Sequence, residues 1–229
     1  MDGKVVLITG AKGGLGTNVT LEFLAAGATV VGTSRSISQS DFEHEKFTAI
    51  PADISEPDAA RELVAQVIER FGRIDVLVHV MGGFAAGKMR ETDDETWKKM
   101  FDLNVNPGFY VAREVVRCMR EAQRGGRIVA IGSLAASEPH AGIGAYVAAK
   151  TALAVVFRTI AMENVDAGIT CNVILPATMD TAANRVAMPS ADPSKWVQPG
   201  EVAKLVLYLA SEQAARVNGA LIPVYGREG

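Results

Sequence analysis

The sequence is poor in cysteine and aromatic residues and carries no strong excess of either charge. Of its 229 residues, two are cysteines, 6% are aromatic, and the formal net charge is −3 at pH 7. Cys118 and Cys171 stand alone in apolar surroundings, which argues against a disulfide framework. The three histidines lack partners at metal-ligand spacing, so no metal site is expected. The lysines and arginines are dispersed, unlike the basic patch of a nucleic-acid-binding protein.

Long apolar runs are also missing. No stretch reaches the ~20 apolar residues that a membrane span needs, and no charged and apolar leader precedes the first strand-like run. We therefore expect a soluble cytoplasmic protein that binds neither membranes nor nucleic acid. Since 48% of the residues are hydrophobic, the chain has enough apolar material for a large core.

Short apolar runs rich in β-branched residues alternate with longer amphipathic segments along the chain. The strand-like runs are KVVLIT, ATVVGT, FTAI, IDVLVHV, GRIVAIGS, ITCNVIL and LIPVY. Strands that are apolar throughout and separated by helices indicate a parallel sheet covered on both faces. The sequence therefore predicts an α/β fold, with one domain over residues 1–229 and a doubly wound (Rossmann) parallel sheet of about seven strands.

The helical segments are less regular than the strands. We expect helices over residues 15–26, 57–71, 94–122 and 145–165, with Pro107 disturbing the third near its middle. Residues 176–200 read as a long irregular connection, which in a compact domain is usually functional or mobile.

A glycine-rich loop, TGAKGGLG, lies between the first strand and the first helix. Gly10, Gly14 and Gly16 permit a tight turn and a close backbone approach, and the helix N-terminus offers free N–H groups to a pyrophosphate. The alternative is a plain glycine-rich turn. The flanking strand and helix favour dinucleotide binding.

Tyr146 and Lys150 are four residues apart on a predicted helix, so their side chains share one face. A tyrosine in water titrates near ~10, and a nearby ammonium favours the phenolate and lowers that pKa. Such a tyrosine becomes a usable general acid or base. By itself the spacing is common on solvated helix faces.

The end of the second strand, Thr33-Ser34-Arg35-Ser36, bears on the choice of coenzyme. An acid there usually binds the ribose of NAD, whereas an arginine accommodates the 2′-phosphate of NADP. Arg35, with Lys12 from the glycine loop as a second cation, predicts NADP(H), with NAD(H) possible. The alternative is that Arg35 is a solvated loop charge.

These motifs, in this order, make the chain resemble the short-chain dehydrogenase/reductase family over nearly its full length. The resemblance implies a hydride-transferring oxidoreductase. Its catalytic residues would be Asn104, Ser133, Tyr146 and Lys150. Its coenzyme-binding residues would be Gly10, Lys12, Gly14, Leu15, Gly16, Arg35, Asp53, Ile54, Met81, Gly82, Tyr146, Lys150, Pro176 and Thr181.

The resemblance also implies the role of each catalytic residue. Tyr146 exchanges a proton with the substrate oxygen, Lys150 lowers the pKa of Tyr146 and holds the nicotinamide ribose, and Ser133 hydrogen-bonds the substrate oxygen. Asn104 orders a water that relays protons toward Lys150. Each has a plain structural alternative: an exposed lysine, a strand-end serine, or an asparagine that bonds the backbone at a kink.

Two departures from the family pattern are visible. His79-Val80-Met81-Gly82-Gly83 replaces the usual Asn-Asn-Ala-Gly after the fourth strand, and Ala177 replaces a glycine. The first departure and the segment after Pro176 are similar to the dihydropteridine reductase branch, but Arg35 and Ser133 are not. Carbonyl or alcohol chemistry is therefore the first reading; reduction of a quinonoid pterin or a catalytically silent dinucleotide sensor are alternatives.

Substrate recognition is assigned to the irregular segment. We expect residues 177–198 to form a lid, with Phe84 on the opposite wall and a small-molecule substrate between them. The lid residues near the substrate would be Met179, Asn184, Met188 and Trp196, although ordinary packing is the alternative. The helix over residues 145–165 is apolar around most of its circumference, and the family resemblance implies a homodimer or homotetramer.

Overall fold

The computed structural model describes residues 1–227; residues 228–229, which the predicted domain includes, lie outside the described range. Seven parallel strands form one sheet in the order β3-β2-β1-β4-β5-β6-β7. The strands are β1 Val5–Thr9, β2 Thr29–Thr33, β3 Phe47–Ala49, β4 Val76–His79, β5 Gly126–Ile131, β6 Ile169–Pro176 and β7 Leu221–Val224. The predicted doubly wound parallel sheet is confirmed.

Helices cover both faces of this sheet. They are α1 Gly14–Ala25, α2 Pro57–Phe71, α3 Asp94–Asn104, α4 Asn106–Ala122, α5 Gly144–Glu163, α6 Ala182–Ala187 and α7 Pro199–Leu209. Alternate strand residues bury to opposite sides, which is why the strands read as continuously apolar. Leu63, Val111 and Phe157 pack with Leu7 and other strand residues on one face. Phe23 and Val206 pack with Ile8 on the other face.

Two elements differ from the sequence prediction. The segment predicted as one helix over residues 94–122 is two helices that meet at Val105, because Pro107 has no N–H to continue the hydrogen-bond ladder. Helix α7 was not predicted at all. The sequence did indicate a helix at this place, since Pro199 begins an apolar run and proline is common at the first position of a helix. The segment predicted to be irregular, residues 176–200, ends within the first turn of α7. That segment also contains the short helix α6.

Helix α5 is long and apolar enough to cross a membrane by length and composition, which the sequence reading did not allow for. Its apolar residues include Leu153, Phe157 and Ala161, all of which are buried against the sheet and its neighbouring helices. Core packing therefore explains the apolar residues on the buried side of α5, whereas Val155 and Met162 on the same helix are exposed.

The strand order creates a crevice at one point on the sheet. From β1 the chain proceeds outward through β2 and β3 and then returns to place β4 on the other side of β1. The loops that follow β1 and β4 diverge there, which is where ligands bind in open parallel sheets. A methyl group on Gly10 would lie 3.1 Å from Met81 N, so the two loops are in contact at the base of this crevice.

We expect Phe23→Ala to destabilise the protein by about 3–5 kcal/mol, because it empties a fully buried site between α1 and the sheet. Leu21→Ala on the same helix, where the side chain is 54% exposed, should change the free energy of unfolding by less than about 0.5 kcal/mol. Urea unfolding of both variants measures the difference. Equal losses would contradict the core assignment.

Candidate active site

The glycine loop is shaped for an anion. Gly10 has φ +68°, a left-handed conformation that glycine adopts without strain. A Cβ on Gly16 would collide with the carbonyl oxygen of Gly10, so the turn has no space for a side chain. Helix α1 starts with Gly13 as its N-cap, without a side-chain cap and without an acid in its first turn. The N–H groups of this turn can therefore receive a pyrophosphate.

Thr181 lies against the glycine loop from the opposite side. A methyl group on Gly14 would lie 2.9 Å from Thr181 Cγ2. Thr181 also caps α6, because its Oγ1 accepts a hydrogen bond from the backbone N–H of Asn184. Pro176 ends β6, and Leu15 is buried beneath the loop. The predicted coenzyme residues of β6 and of the glycine loop are thus brought together.

Asn104, Gly82 and Lys150 meet although they come from three different elements. A methyl group on Gly82 would lie 2.8 Å from Asn104 Oδ1 and 2.9 Å from Lys150 Nζ. Lys150 is buried and donates a hydrogen bond of 3.1 Å to the carbonyl oxygen of Ile131 at the end of β5. Burial lowers the pKa of Lys150 to about 8, because the interior disfavours its charged form.

The side chain of Asn104 binds the loop after β4. Its Oδ1 accepts from Gly83 N at 3.1 Å, and its Nδ2 donates to Gly83 O at 3.0 Å and to Met100 O at 2.9 Å. Asn104 is therefore the asparagine that bonds the backbone near the break between α3 and α4. A water-ordering role is additional to this contact and remains a prediction.

The Ser133 hydroxyl is close enough to Tyr146 to lower the pKa of the phenol. The direction of the predicted pKa shift is wrong, however. Burial raises the pKa of Tyr146 above its ordinary value, and the smaller, opposite effect of Ser133 only partly offsets this. The ammonium of Lys150 points to Ile131 O, so its charge does not overcome the desolvation of the phenol.

An aromatic wall stands beside Tyr146. The ring of Phe84 meets the ring of Tyr146 edge-on, with 5.0 Å between centroids, and Phe84 is 63% exposed. The loop that carries Phe84 is pinned to the segment before α5, because Gly87 N donates to Gly142 O at 2.7 Å. Phe84 thus lies next to the phenol with its ring exposed, and its predicted contact with the substrate remains a prediction.

Thr9 and His79, the last residues of β1 and β4, form a buried pair that the sequence reading missed. They are register partners in the sheet, and His79 Nδ1 lies 2.9 Å from Thr9 Oγ1. Burial, with a smaller effect from the Lys150 charge, lowers the pKa of His79 to about 3. His79 is therefore a neutral packing residue, as predicted. The sequence offered one indication of this pair, since both residues stand at the C-terminal ends of their strands.

The ends of β2 and β3 carry the residues that were predicted to bind the adenosine half of the coenzyme. Arg35 is exposed, and its charge contributes to a lowered pKa of Asp53, after the larger effect of the Ser55 hydroxyl. Ile54 is buried next to Asp53. Lys12, predicted as a second cation for the coenzyme, is paired with Asp41, a residue that the sequence reading did not connect to the site.

The predicted lid is a folded segment closed at its base. Met179 pairs with Val197 in an isolated bridge and packs against the core. The amide of Asn184 donates to Met179 O at 2.8 Å. Trp196 is half-buried and Met188 is exposed. The polar groups of Asn184 are thus used within the segment, and the substrate contacts predicted for these residues remain predictions.

A separate cavity of about 220 Å³ lies at the opposite, amino-terminal edge of the sheet, lined by Lys4, Asp75 and Arg127 among others. It holds none of the residues described above. Its cations Lys4 and Arg127 are paired with Glu212, which lines the same cavity.

Comparison with known proteins agrees with this geometry. Residues 4–191 match the family model for short chain dehydrogenases. A 3β-hydroxysteroid dehydrogenase from Mediterraneibacter gnavus is 30% identical, with 96% of this chain and 93% of that protein covered. The 3-oxoacyl-[acyl-carrier-protein] reductase FabG of Escherichia coli is 28% identical, with 98% and 97% covered. The structure of a short-chain type dehydrogenase/reductase from Mycobacterium ulcerans superposes with a TM-score of 0.90 at 28% identity, with 99% and 90% covered. The chain belongs to the short-chain dehydrogenase/reductase family, whose members are NAD(P)(H)-dependent oxidoreductases.

Proposed function

We propose that this protein interconverts a carbonyl compound and a secondary alcohol with NADP(H), with Tyr146 as the general acid and base. The observation that carries the proposal is the cluster of Ser133, Tyr146, Lys150 and Asn104 beside a glycine loop shaped for a pyrophosphate. All of these groups lie at the carboxyl edge of the sheet, around the crevice between β1 and β4. We propose that residues 1–229 act as one catalytic domain. We also propose that the protein is located in the cytoplasm, which cell fractionation tests.

Each residue has a distinct task in this scheme. A bound nicotinamide coenzyme supplies or accepts the hydride. Ser133 donates a hydrogen bond to the substrate oxygen and stabilises the negative charge that develops there. Tyr146 delivers its phenolic proton to that oxygen during reduction and removes it during oxidation. Lys150 holds the nicotinamide ribose and keeps a positive charge close to the phenol, so the phenolate left after proton transfer is stabilised.

The raised pKa of Tyr146 suits the reducing direction. A buried phenol with a raised pKa is protonated at neutral pH and can donate its proton. The proton must then be replaced, and Asn104 borders Lys150 at the position from which an ordered water could resupply it. The free protein thus holds Tyr146 in the protonated form that carbonyl reduction requires.

The substrate is proposed to be a small molecule with an apolar portion next to its carbonyl. The exposed face of Phe84 beside Tyr146 supports this, because it leaves an aromatic surface open at the reacting centre. By their names, one relative acts on a hydroxyl group of a steroid and the other reduces an oxoacyl group on an acyl carrier protein. Turnover of hydroxysteroids, 3-ketoacyl thioesters, quinones and quinonoid dihydropterin with NADPH and NADH identifies the class.

We propose that residues 177–198 cover the substrate. Thr181 at the start of this segment touches the glycine loop, and Trp196 and Met179 lie near its base. Closure of the segment would exclude water from the path of the hydride. If removal of the segment left the KM for substrate untouched, this proposal would fail.

We propose a homodimer or homotetramer built on α4 and α5. These helices leave apolar side chains uncovered, among them Phe109 at 40% exposure, Val155 at 56% and Met162 at 78%. A patch of this kind on adjacent helices is typical of an interface. Sedimentation velocity decides between a dimer, a tetramer and a monomer, and a monomer contradicts the proposal.

The coenzyme is proposed to be NADP(H). Arg35 follows β2 and makes no hydrogen bond or ion pair with any other residue in the range 1–227. Its guanidinium is therefore available to a 2′-phosphate. No acid occupies the neighbouring positions 33–36 that would favour the 2′-hydroxyl of NAD.

Tyr146→Phe should reduce kcat for ketone reduction by at least about 100-fold, because it removes the proton donor and leaves the ring in place. Binding of NADPH, followed by its fluorescence, should change little. Tyr110→Phe on α4 is a control for loss of a phenol elsewhere. A dinucleotide sensor would show no turnover in the unmodified protein, and a pterin reductase would turn over only the quinonoid pterin.

The rate of reduction should be constant at lower pH and fall as the pH rises through about 8, where Lys150 loses its proton. The rate falls with rising pH because both Lys150 and Tyr146 act in their protonated forms, and Lys150 loses its proton before Tyr146 does. Measurement of kcat/KM from pH 6 to pH 10 reports the free protein. Lys150→Arg keeps a cation over this range and should move the fall to higher pH; a rate that rises through pH 8 excludes this assignment.

Arg35→Ala should weaken NADPH binding by about tenfold or more and leave NADH binding within about twofold, because only NADPH carries the 2′-phosphate. Isothermal titration of both coenzymes measures the change. Arg61→Ala, an exposed arginine on α2, is the control for general loss of charge. Equal or better binding of NADH by the unmodified protein, unaffected by Arg35→Ala, refutes the NADP(H) assignment.

A further inference from the structure

Lys12 in the glycine loop is already engaged by a carboxylate. Its Nζ lies 3.2 Å from Asp41 Oδ1 and 3.1 Å from Asp41 Oδ2, and it donates a hydrogen bond of 3.0 Å to the carbonyl oxygen of Ser36. Ser36 is the last residue of the Ser34-Arg35-Ser36 turn after β2. The side chain of Lys12 thus reaches from the pyrophosphate loop to the turn that carries Arg35.

Asp41 is held firmly in the position from which it binds Lys12. Its Oδ2 accepts from Ser38 N at 2.8 Å and from Ser38 Oγ at 3.2 Å. The segment is anchored on both sides of these residues by Ile37 and Phe42, which are 3% and 6% exposed. The hydrogen bond from Ser38 N, followed by that from Lys12, holds the pKa of Asp41 below its usual value, so the carboxylate is charged at neutral pH.

The two cations near this turn differ in their contacts. Lys12 is paired with Asp41, whereas Arg35 makes no ion pair within residues 1–227 and affects Asp53 only through its charge. Asp53 follows β3 and belongs to the adenine side of the site, whereas Asp41 belongs to the side where Lys12 meets the turn. A phosphate monoester at neutral pH carries a charge of about −1.5 to −2. Asp41 therefore competes with such a group for Lys12, and it has no such effect on a neutral 2′-hydroxyl.

We propose that Asp41 is a specificity-determining residue that limits the preference of this protein for NADP(H) over NAD(H) by withholding Lys12 from the 2′-phosphate. The proposal rests on the proposed function, in that the adenosine end of the coenzyme lies at Arg35. It goes further by assigning the strength of the preference to a carboxylate that contacts the second cation. With Asp41 in place NADP(H) is preferred only modestly over NAD(H); without its charge Lys12 joins Arg35 at the phosphate.

The test is the binding of two adenosine fragments that differ only in the 2′-phosphate. Titration calorimetry compares adenosine 2′,5′-bisphosphate with adenosine 5′-monophosphate for the unmodified protein, Asp41→Asn and Glu43→Gln. Asp41→Asn should tighten the bisphosphate about three- to fivefold, the upper end of the scale of one exposed charge pair, and leave the monophosphate within about twofold. Glu43→Gln removes the same charge from an exposed position two residues along and should leave both within about twofold.

Two further titrations, one at high salt and one in the Lys12→Gln variant, show whether the tighter binding of the bisphosphate depends on Lys12. The gain in Asp41→Asn should shrink at about 0.5 M salt, because exposed charges are screened there. In a Lys12→Gln background, Asp41→Asn should bring less than half of its gain. An unchanged ratio of the two fragments in Asp41→Asn, or a full gain without Lys12, overturns the proposal.

Two further measurements keep the outcomes distinct. The thermal midpoint of Asp41→Asn checks that the turn remains folded, and Asp41→Ser, which keeps a hydroxyl that Ser38 N can reach, replaces it if the midpoint falls. If Arg35→Ala leaves bisphosphate binding unchanged, the NADP(H) assignment fails. If Arg35→Ala weakens bisphosphate binding and Asp41→Asn does not strengthen it, only the role of Asp41 fails.

Discussion

The pairing of β1 with β4 is the contact on which the site depends. It joins strands that are far apart in the sequence, and its last register pair, Thr9 with His79, is closed by a buried side-chain hydrogen bond. Val80 N also donates to Thr9 Oγ1, so the start of the next loop is fixed as well. The loops after these strands hold the glycine-rich turn and the contact to Asn104. The crevice between them exists because the chain reverses its direction of travel at β1.

A second constraint is the burial of a cation beside the reacting centre. Lys150 is held under the loop after β4 with the carbonyl of Ile131 as its hydrogen-bond partner. The interior disfavours that charge and raises the pKa of the neighbouring phenol. Desolvation therefore opposes the electrostatic effect that a lysine one turn from a tyrosine has in water. The resulting arrangement keeps the phenol protonated, which is the form that donates a proton.

Local patterns were enough for much of the fold. Strands buried on both faces are apolar throughout, and Pro57 marks the start of α2, so these elements follow from residue type. The disturbance at Pro107 was predicted, but its result, two separate helices that meet at Val105, was not. Helix α7 was missed. A boundary near proline depends on which backbone groups find partners. The pairing of Lys12 with Asp41 was missed for another reason. Those residues are joined through the turn after β2 and have no periodic relation in the sequence.

The sequence by itself determined the alternation of strands and helices, the glycine loop and the spacing of Tyr146 and Lys150, because these depend on backbone geometry over a few residues. The tertiary structure decided what those residues face. Burial set the direction of the pKa shifts at Tyr146 and Lys150, and the fold brought Asp41 to Lys12 and Thr181 to Gly14. Desolvation and contacts between distant segments exist only once the chain is packed, so residue type and spacing cannot supply them.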